Sequence, residues 1–348
     1  MPEFQYANPP VIHWGANAVE HLGAELKRLH TKGPVIVTTR SLVEKVLRLP
    51  LRPAANSPVT VVISQHAPLH EIESAIHDAE EADADGVVSF GGGSPIDAAK
   101  ILALRIAEHR GSTERALPHV AIPTTLSVAE LAAGAGFTDE AGAKGGMRDP
   151  RLLPDAVIYD AQLTLETPMD LWLSTGIRAL DHAVEGFLAD GEHPFNDVMA
   201  LEAVRRLLAT LPQAKARPQD LDLRTQNQIA AWFSFTLPGA SASGLSHMMG
   251  KQIGARHRIP HGVTSCLLLP HVMRYLSGLK SERMRVLATA TGDGHDAAGD
   301  VERLISSLGL PQHIAAFGIG QPELRVAASE LAGKYGESDL LNIYTAAL

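Results

Sequence analysis

An α/β domain built on a parallel sheet, followed by an all-α domain, is the fold class that the sequence predicts. Three observations carry it. Short β-branched runs alternate with amphipathic segments through residues 34–125. Helical periodicity then continues nearly unbroken from about residue 160 onward. At 348 residues the chain is long enough for two domains.

Each element has its own signal. "PVIVTT" (34–39) is continuous and β-branched, as a strand buried on both faces should be. "SLVEKVLRL" (41–49) has helical spacing, "VTVVIS" (59–64) is a second strand, and "LHEIESAIHDAEEA" (69–82) an amphipathic helix. "GVVSF" (86–90), "SPIDAAKILALRIAEH" (94–109) and "HVAIPTT" (119–125) repeat the strand, helix, strand order. Such alternation implies a parallel sheet with helices on both faces. Residues 132–158 are rich in Gly and Pro without helical period, which fits a β-hairpin and a connecting loop. "NDVMALEAVRRLLATLPQAKA" (196–216) and "RTQNQIAAWFSFTL" (224–237) are helical. The expected domains are therefore 1–158, α/β, and 159–348, helical.

Composition narrows the class of function. Hydrophobic residues make up 45% and charged residues 20%, ordinary for a globular chain. The net charge of −9 argues against general nucleic-acid or anionic-membrane binding. Cys266 is the single cysteine, so neither an internal disulfide nor a cysteine-based zinc site is available. The N-terminal residues lack a basic region followed by an apolar run, and no run of about 18 apolar residues occurs. A cytoplasmic protein is expected.

"SFGGGSPIDAAK" (89–100) leaves a strand and opens a helix. Its glycines let backbone approach a ligand closely, and the helix N-terminus behind them favours a pyrophosphate. Ser94 occupies an N-cap position. The next strand ends in "IPTTLSVAE", with hydroxyls at Thr124, Thr125 and Ser127. Neighbouring strand ends of a parallel sheet share the crevice where nucleotides bind. The first domain therefore reads as a Rossmann-like nucleotide-binding domain.

These residues carry a resemblance. "GGGSPIDAAK" resembles the GGGSxxDxAK pattern of the iron-containing alcohol dehydrogenase superfamily, which shares its fold with the dehydroquinate synthases. "PTT" (123–125), "GIRALDHAVEG" (176–186) and "GLSHMMGKQIGARHRIPHGVTSCLLLPHVMRY" (244–275) follow in that family's order. Within it, "PTTLSVAE" and "KGGMRDPRLLPDAVIYDAQLT" (144–164) are most similar to the maleylacetate reductases. The resemblance implies NAD(P) in a cleft between two domains. By position, Gly91, Gly92, Gly93 and Ser94 would hold the pyrophosphate, Asp97 and Lys100 would lie beside that loop, and Thr124, Thr125 and Ser127 would line the nucleotide path. Many members carry an Asp at the end of the first strand, against the adenosine ribose. Here Thr39 stands there with Arg40 beside it, which removes a charge that repels a 2′-phosphate and adds one that could pair with it. NADPH is thus expected to be accepted alongside NADH, unless Arg40 is only a solvated residue.

In metal-dependent members one Asp and three His hold iron or zinc. The resemblance places Arg178 at the Asp position and His182, His247 and His261 at the histidine positions. A fixed cation within about 4–6 Å of a divalent ion opposes it by several kcal/mol even at an effective dielectric near 20. Asp181 lies about 100° round the helix from His182 and is expected to point elsewhere. A further histidine of the family is replaced by Lys251, and Arg256, His257 and Arg258 follow closely. A metal-free site for a small anionic carbonyl substrate follows. Arg178 would clamp its acidic group, and Lys251 or one of the histidines would stabilise and protonate the alkoxide. The bland alternatives are a salt bridge of Arg178 with Asp181, Glu185 or a distant carboxylate, and a solvated Lys251.

Two rival functions stay open: a metal-dependent alcohol dehydrogenase using His182, His247 and His261, and a non-redox lyase, isomerase or cyclase on the same fold. The resemblance also suggests a homodimer.

Overall fold

The computed structural model describes residues 8–51, 58–140, 142–237 and 244–348. Its first unit closes at Thr167 and its second runs from Pro168 to Leu348.

The first unit contains, in order, β1 (Ile12–Gly15), α1 (Leu22–Arg28), β2 (Pro34–Thr38), α2 (Val43–Val46), β3 (Thr60–Val62), α3 (Leu69–Glu81), β4 (Gly86–Gly91), α4 (Gly93–His109), β5 (His119–Pro123), β6 (Gly134–Thr138), β7 (Lys144–Arg148) and β8 (Ala156–Asp160). Six strands form one parallel sheet in the order β1-β8-β5-β4-β2-β3. β2, β4, β5 and β8 are buried along their whole lengths, which is why their sequences do not alternate. Successive residues of a strand serve opposite faces. Val35, Val37 and Val87 pack with Ile72 and Ile76 of α3 and Leu102 of α4. Ile36, Val88 and Ile122 pack with Leu22 and Leu26 of α1 on the other side. β6 and β7 form the expected antiparallel hairpin.

Several local expectations shift. The helix expected over 41–49 shrinks to a 3-10 turn (Arg40–Leu42) and the single turn α2, cut short ahead of Pro50. The strand expected to 125 stops at Pro123, so its hydroxyls stand on a turn. β1 and β8 escape a reading by pattern because each is short and lies beside Gly- or Pro-rich sequence. β8 crosses residue 158, the expected boundary, and the division between units falls after it, at Thr167.

The second unit is helical: α5 (Met169–Phe187), α6 (Pro194–Ala216), α7 (Leu221–Phe233), α8 (Leu245–His257), α9 (His261–Leu279), α10 (Ser281–Thr291), α11 (Ala297–Ser307), α12 (Gln321–Leu331) and α13 (Glu337–Ala346). The helix expected over 224–237 begins earlier, behind an Asp220 side-chain cap, and ends at Phe233. α5 is buried on every side from Trp172 to Phe187, a core helix walled by α6, α7, α8 and α9. Its polar residues must therefore find partners inside the protein. No described helix is long and apolar enough to cross a membrane.

Candidate active site

In the α/β unit the glycine loop sits where β2 and β4 end side by side. The chain runs from β2 to β3 on one side and continues from β4 to β5 on the other, so the loop stands at a switch point of the sheet. Gly91 has φ +149°, and a Cβ there would stand 2.7 Å from Pro95 Cγ. A Cβ on Gly92 would come within 3.1 Å of Thr125 Cγ2, and one on Gly93 within 3.4 Å of Ser127 Oγ. The loop and the turn after β5 are thus packed against each other, joined by the Thr124 N–H to Gly91 O bond of 2.8 Å. Thr125 Oγ1 and Ser127 Oγ are buried yet have no hydrogen-bond partner among the described residues. Buried polar atoms of that kind call for a partner, whether water or ligand, and α4, 17 residues long, opens its N-terminus beside them. The cradle fits a dinucleotide.

Other residues of the motif face inward. Gly92, not Ser94, is the N-cap residue of α4, and Ser94 Oγ instead accepts the His66 N–H at 2.9 Å. Lys100 is 1% exposed. Its ammonium donates to Ala129 O at 2.5 Å, Ala132 O at 2.7 Å and Gly134 O at 3.0 Å, using all three protons on backbone. Asp97 accepts the Gly136 N–H at 3.1 Å, and burial pushes its carboxyl up to about 6. Burial also raises buried Glu130 to about 7, against the pull of a 2.8 Å bond from Tyr159 and the charge of Lys100. Asp97 and Lys100 therefore tie α4 to the segment that carries Thr125 and Ser127. Thr39 is half-buried at the end of β2 and bonds Ser41 Oγ at 3.3 Å. Arg40 is exposed, with no ion-pair partner among the described residues.

In the helical unit, Arg178, Asp181, His182 and Glu185 form one stripe of α5 at i, i+3, i+4 and i+7. Arg178 is 9% exposed. Its Nη1 donates to Ser265 Oγ of α9 at 3.2 Å and stands 3.7 Å from Asp181 Oδ2, while Nη2 donates to His247 Nε2 of α8. Asp181 is fully buried and accepts Ser265 Oγ at 2.6 Å and Ser246 Oγ at 3.0 Å. Glu185 takes the N-terminus of α8, accepting the N–H groups of Gly244 at 2.9 Å and Ser246 at 2.5 Å. A Cβ on Gly244 would lie 2.6 Å from the Glu185 carboxyl and would push it off the N-terminus of α8. The His182 ring lies 4.5 Å from that of His247 and edge-on to Phe235 at 4.9 Å.

A guanidinium only donates, so the bond from Arg178 makes His247 Nε2 the acceptor and places the ring proton on Nδ1, which faces Glu185 Oε2 at 3.6 Å. Burial holds His247 well below the usual histidine range, and Arg178, His182, His261 and Lys251 add to the effect. Burial likewise raises Asp181, and raises Glu185 well above the carboxylate range with help from Asp181. Arg178, His182 and His247 are thus brought together. His261 opens α9, half-buried and close enough to act on His247 electrostatically. Lys251 is exposed one turn beyond His247 on α8. Arg256 is drawn off to Glu330 of α12 at 2.7 Å. The described residues contain no group of three or more His, Cys, Asp or Glu side chains arranged to hold a metal ion.

Asp181 and Glu185 enter a reading of motifs only as salt-bridge partners of Arg178, and the structure pairs Arg178 with Asp181. Ser246 and Ser265 are the members that such a reading misses. Their one signal in sequence is polarity at core positions of otherwise apolar helices.

Comparison with known proteins agrees with these features. The profile of the iron-containing alcohol dehydrogenases matches residues 9–161, and that of the Fe-containing alcohol dehydrogenase C-terminal region matches residues 172–337. The chain is 31% identical over 335 residues to maleylacetate reductase of Rhizobium sp. (strain MTP-10005), covering 95% of this chain and 92% of that one. It is 35% identical over 295 residues to maleylacetate reductase 2 of Cupriavidus pinatubonensis, covering 84% and 79%. The crystal structure of maleylacetate reductase from Agrobacterium tumefaciens superposes with a TM-score of 0.88 at 27% identity, covering 100% of this chain and 99% of that chain. The chain belongs to the iron-containing alcohol dehydrogenase family, on its maleylacetate reductase-like branch, and is an NAD(P)-dependent oxidoreductase.

Proposed function

We propose that the protein reduces a small carbonyl acid of the maleylacetate type without a metal ion. One observation carries the reading: the guanidinium of Arg178 engages His247 Nε2, the atom through which that imidazole would hold a metal. The residues do not fit an iron centre. A cation replaces the carboxylate ligand, and one of three imidazoles already has its lone pair in use.

Bound NAD(P)H supplies the hydride. The N-terminus of α4 and the hydroxyls of Thr125 and Ser127 bind its phosphates, and Lys100 and Asp97 position the segment that presents them. Arg40 favours NADPH by pairing with a 2′-phosphate.

In the helical unit Arg178 serves as a fixed positive charge in place of a Lewis acid. Both terminal nitrogens hold protein partners, and the direct grip on the acidic group of the substrate is assigned to Lys251, which is exposed. Negative charge growing on the carbonyl oxygen is stabilised by this pair. His247, neutral and accepting at Nε2, does not give up the proton, which leaves His182, His261 or Lys251 as donor. The resemblance suits a cytoplasmic homodimer.

The test compares maleylacetate with a neutral aldehyde of similar size. Arg178→Ala is expected to lower kcat on the acid about 10²–10³-fold, the scale of losing an oxyanion stabiliser. Lys251→Met should raise KM for the acid about tenfold and leave KM for the neutral aldehyde within about twofold, as loss of one charge-assisted contact to the acidic group predicts. One equivalent of iron or zinc in active protein purified without chelator would defeat the metal-free reading. Nucleotide binding with no turnover of any carbonyl acid would instead favour a non-redox enzyme.

A further inference from the structure

We propose that Asp181 is a positioning residue: with Ser265 it fixes the Arg178 guanidinium against His247. The inference rests on the reading of Arg178 given above.

Asp181 is fully buried, so it acts only through what it touches. Its Oδ2 gathers hydroxyls from two other helices, Ser246 of α8 and Ser265 of α9, and faces Arg178 Nη1 at 3.7 Å. Ser265 joins the two. A hydroxyl has one proton to give and lone pairs to accept with. That proton goes to Asp181 at 2.6 Å, and the oxygen takes the Arg178 N–H at 3.2 Å. The bonds therefore run one way, from guanidinium to hydroxyl to carboxylate. With Nη1 held at this end, Nη2 is left aimed at His247.

The arrangement also explains how a core helix tolerates a guanidinium. An arginine side chain has many rotamers, and a buried charge with no counter-charge is costly. Asp181, three residues on, supplies the counter-charge and selects one rotamer. The carboxylate missing at position 178 thus reappears one turn along α5, facing a cation of the protein itself.

A double-mutant cycle with maleylacetate and NADH tests this. Asp181→Asn keeps the side-chain shape and removes the charge. It is expected to lower kcat about tenfold with KM within about twofold, and the double variant Arg178→Ala/Asp181→Asn should be no worse than Arg178→Ala within about twofold, since residues acting as one unit are not additive. A purely structural role would make the two losses multiply, and that result overturns the inference. Should Asp181→Asn fail to fold by near-UV circular dichroism, Ser265→Ala takes its place in the cycle with the same expectation. An Arg178→Ala enzyme of full activity would strike the proposed function itself. A damaged Arg178→Ala with multiplying losses would strike only the positioning role.

Discussion

The glycine loop of the α/β unit and the arginine cluster of the helical unit place their charged groups differently. At the loop, Thr125 Oγ1 and Ser127 Oγ are buried without partners among the described residues, while the charged residues of the same motif are turned inward onto backbone. In the helical unit the charges and hydroxyls of Arg178, Asp181, Ser246, Ser265 and Glu185 engage one another and the N-terminus of α8, and only single atoms such as Asp181 Oδ1 and His247 Nδ1 lack a hydrogen-bond partner among the described residues. The difference separates two ways of preparing a site. One leaves acceptors and donors waiting for a ligand that brings its own charge. The other fixes a charge in advance, so that little reorganisation is needed when the substrate develops its own.

The comparison breaks first, and by the most, at Lys100. If its ammonium serves backbone alone, Lys100→Met should lower stability to urea by about 3–5 kcal/mol, as removing one partner of a buried charged set does. A stable variant with a raised KM for NAD(P)H would show instead that Lys100 meets the nucleotide.

Glu130 gives the next effect. Its folded pKa of about 7 lies above the usual 4.5 because burial disfavours the carboxylate. The native state therefore holds its proton more tightly than the unfolded chain. Stability from this group is full below about pH 4.5 and is lost as pH rises toward about 7. Glu130→Gln, which can still accept from Tyr159, should flatten that decline and leave the protein about 2–3 kcal/mol more stable than the parent at pH 8. Paired urea titrations at pH 5 and pH 8 measure it, and identical slopes for the two proteins would refute it.

A smaller effect is expected at the end of β2. Arg40→Ala should cut kcat/KM for NADPH about tenfold and leave NADH within about twofold, the worth of one exposed phosphate pair. Equal changes for both cofactors would remove Arg40 from the nucleotide site. Smallest of all is Arg256→Ala. Its pairing with Glu330 is half-exposed, so stability should change by less than about 1 kcal/mol, and kcat/KM for maleylacetate should stay at the parent value. A larger kinetic change would bring Arg256 back into the substrate site.

The loop was legible in the sequence because everything it needs is local: a strand, three glycines and a helix in one run. The same holds for β2, β4 and β5, whose unbroken apolar character announces burial on both faces. The arginine cluster was legible only by half. Arg178, His182, His247, Lys251 and His261 stand out by likeness to a motif. Asp181 enters only as the salt-bridge alternative for Arg178, because its relation to His182, one residue on, points it away from a metal site, whereas the relation that decides is to Arg178, three residues back. Its hydroxyl partners lie 65 and 84 residues away on other helices, beyond the reach of any local pattern. β1 and β8 were hidden because each is short and lies beside Gly- or Pro-rich sequence, and β1 has its place in the sheet only through β8.

That last pairing bears on how the molecule is made. β1 leaves the ribosome ahead of β8, yet its place in the sheet exists only once β8 has followed, and the Asp160 carboxylate that accepts the Asn17 N–H lies 143 residues downstream. A nascent chain must therefore carry its first strand unpaired until most of the α/β unit has been synthesised, and closing so long a loop is slow. Chains stalled before residue 160 should present an open flank of β5 to chaperones, and chains released just beyond it should not.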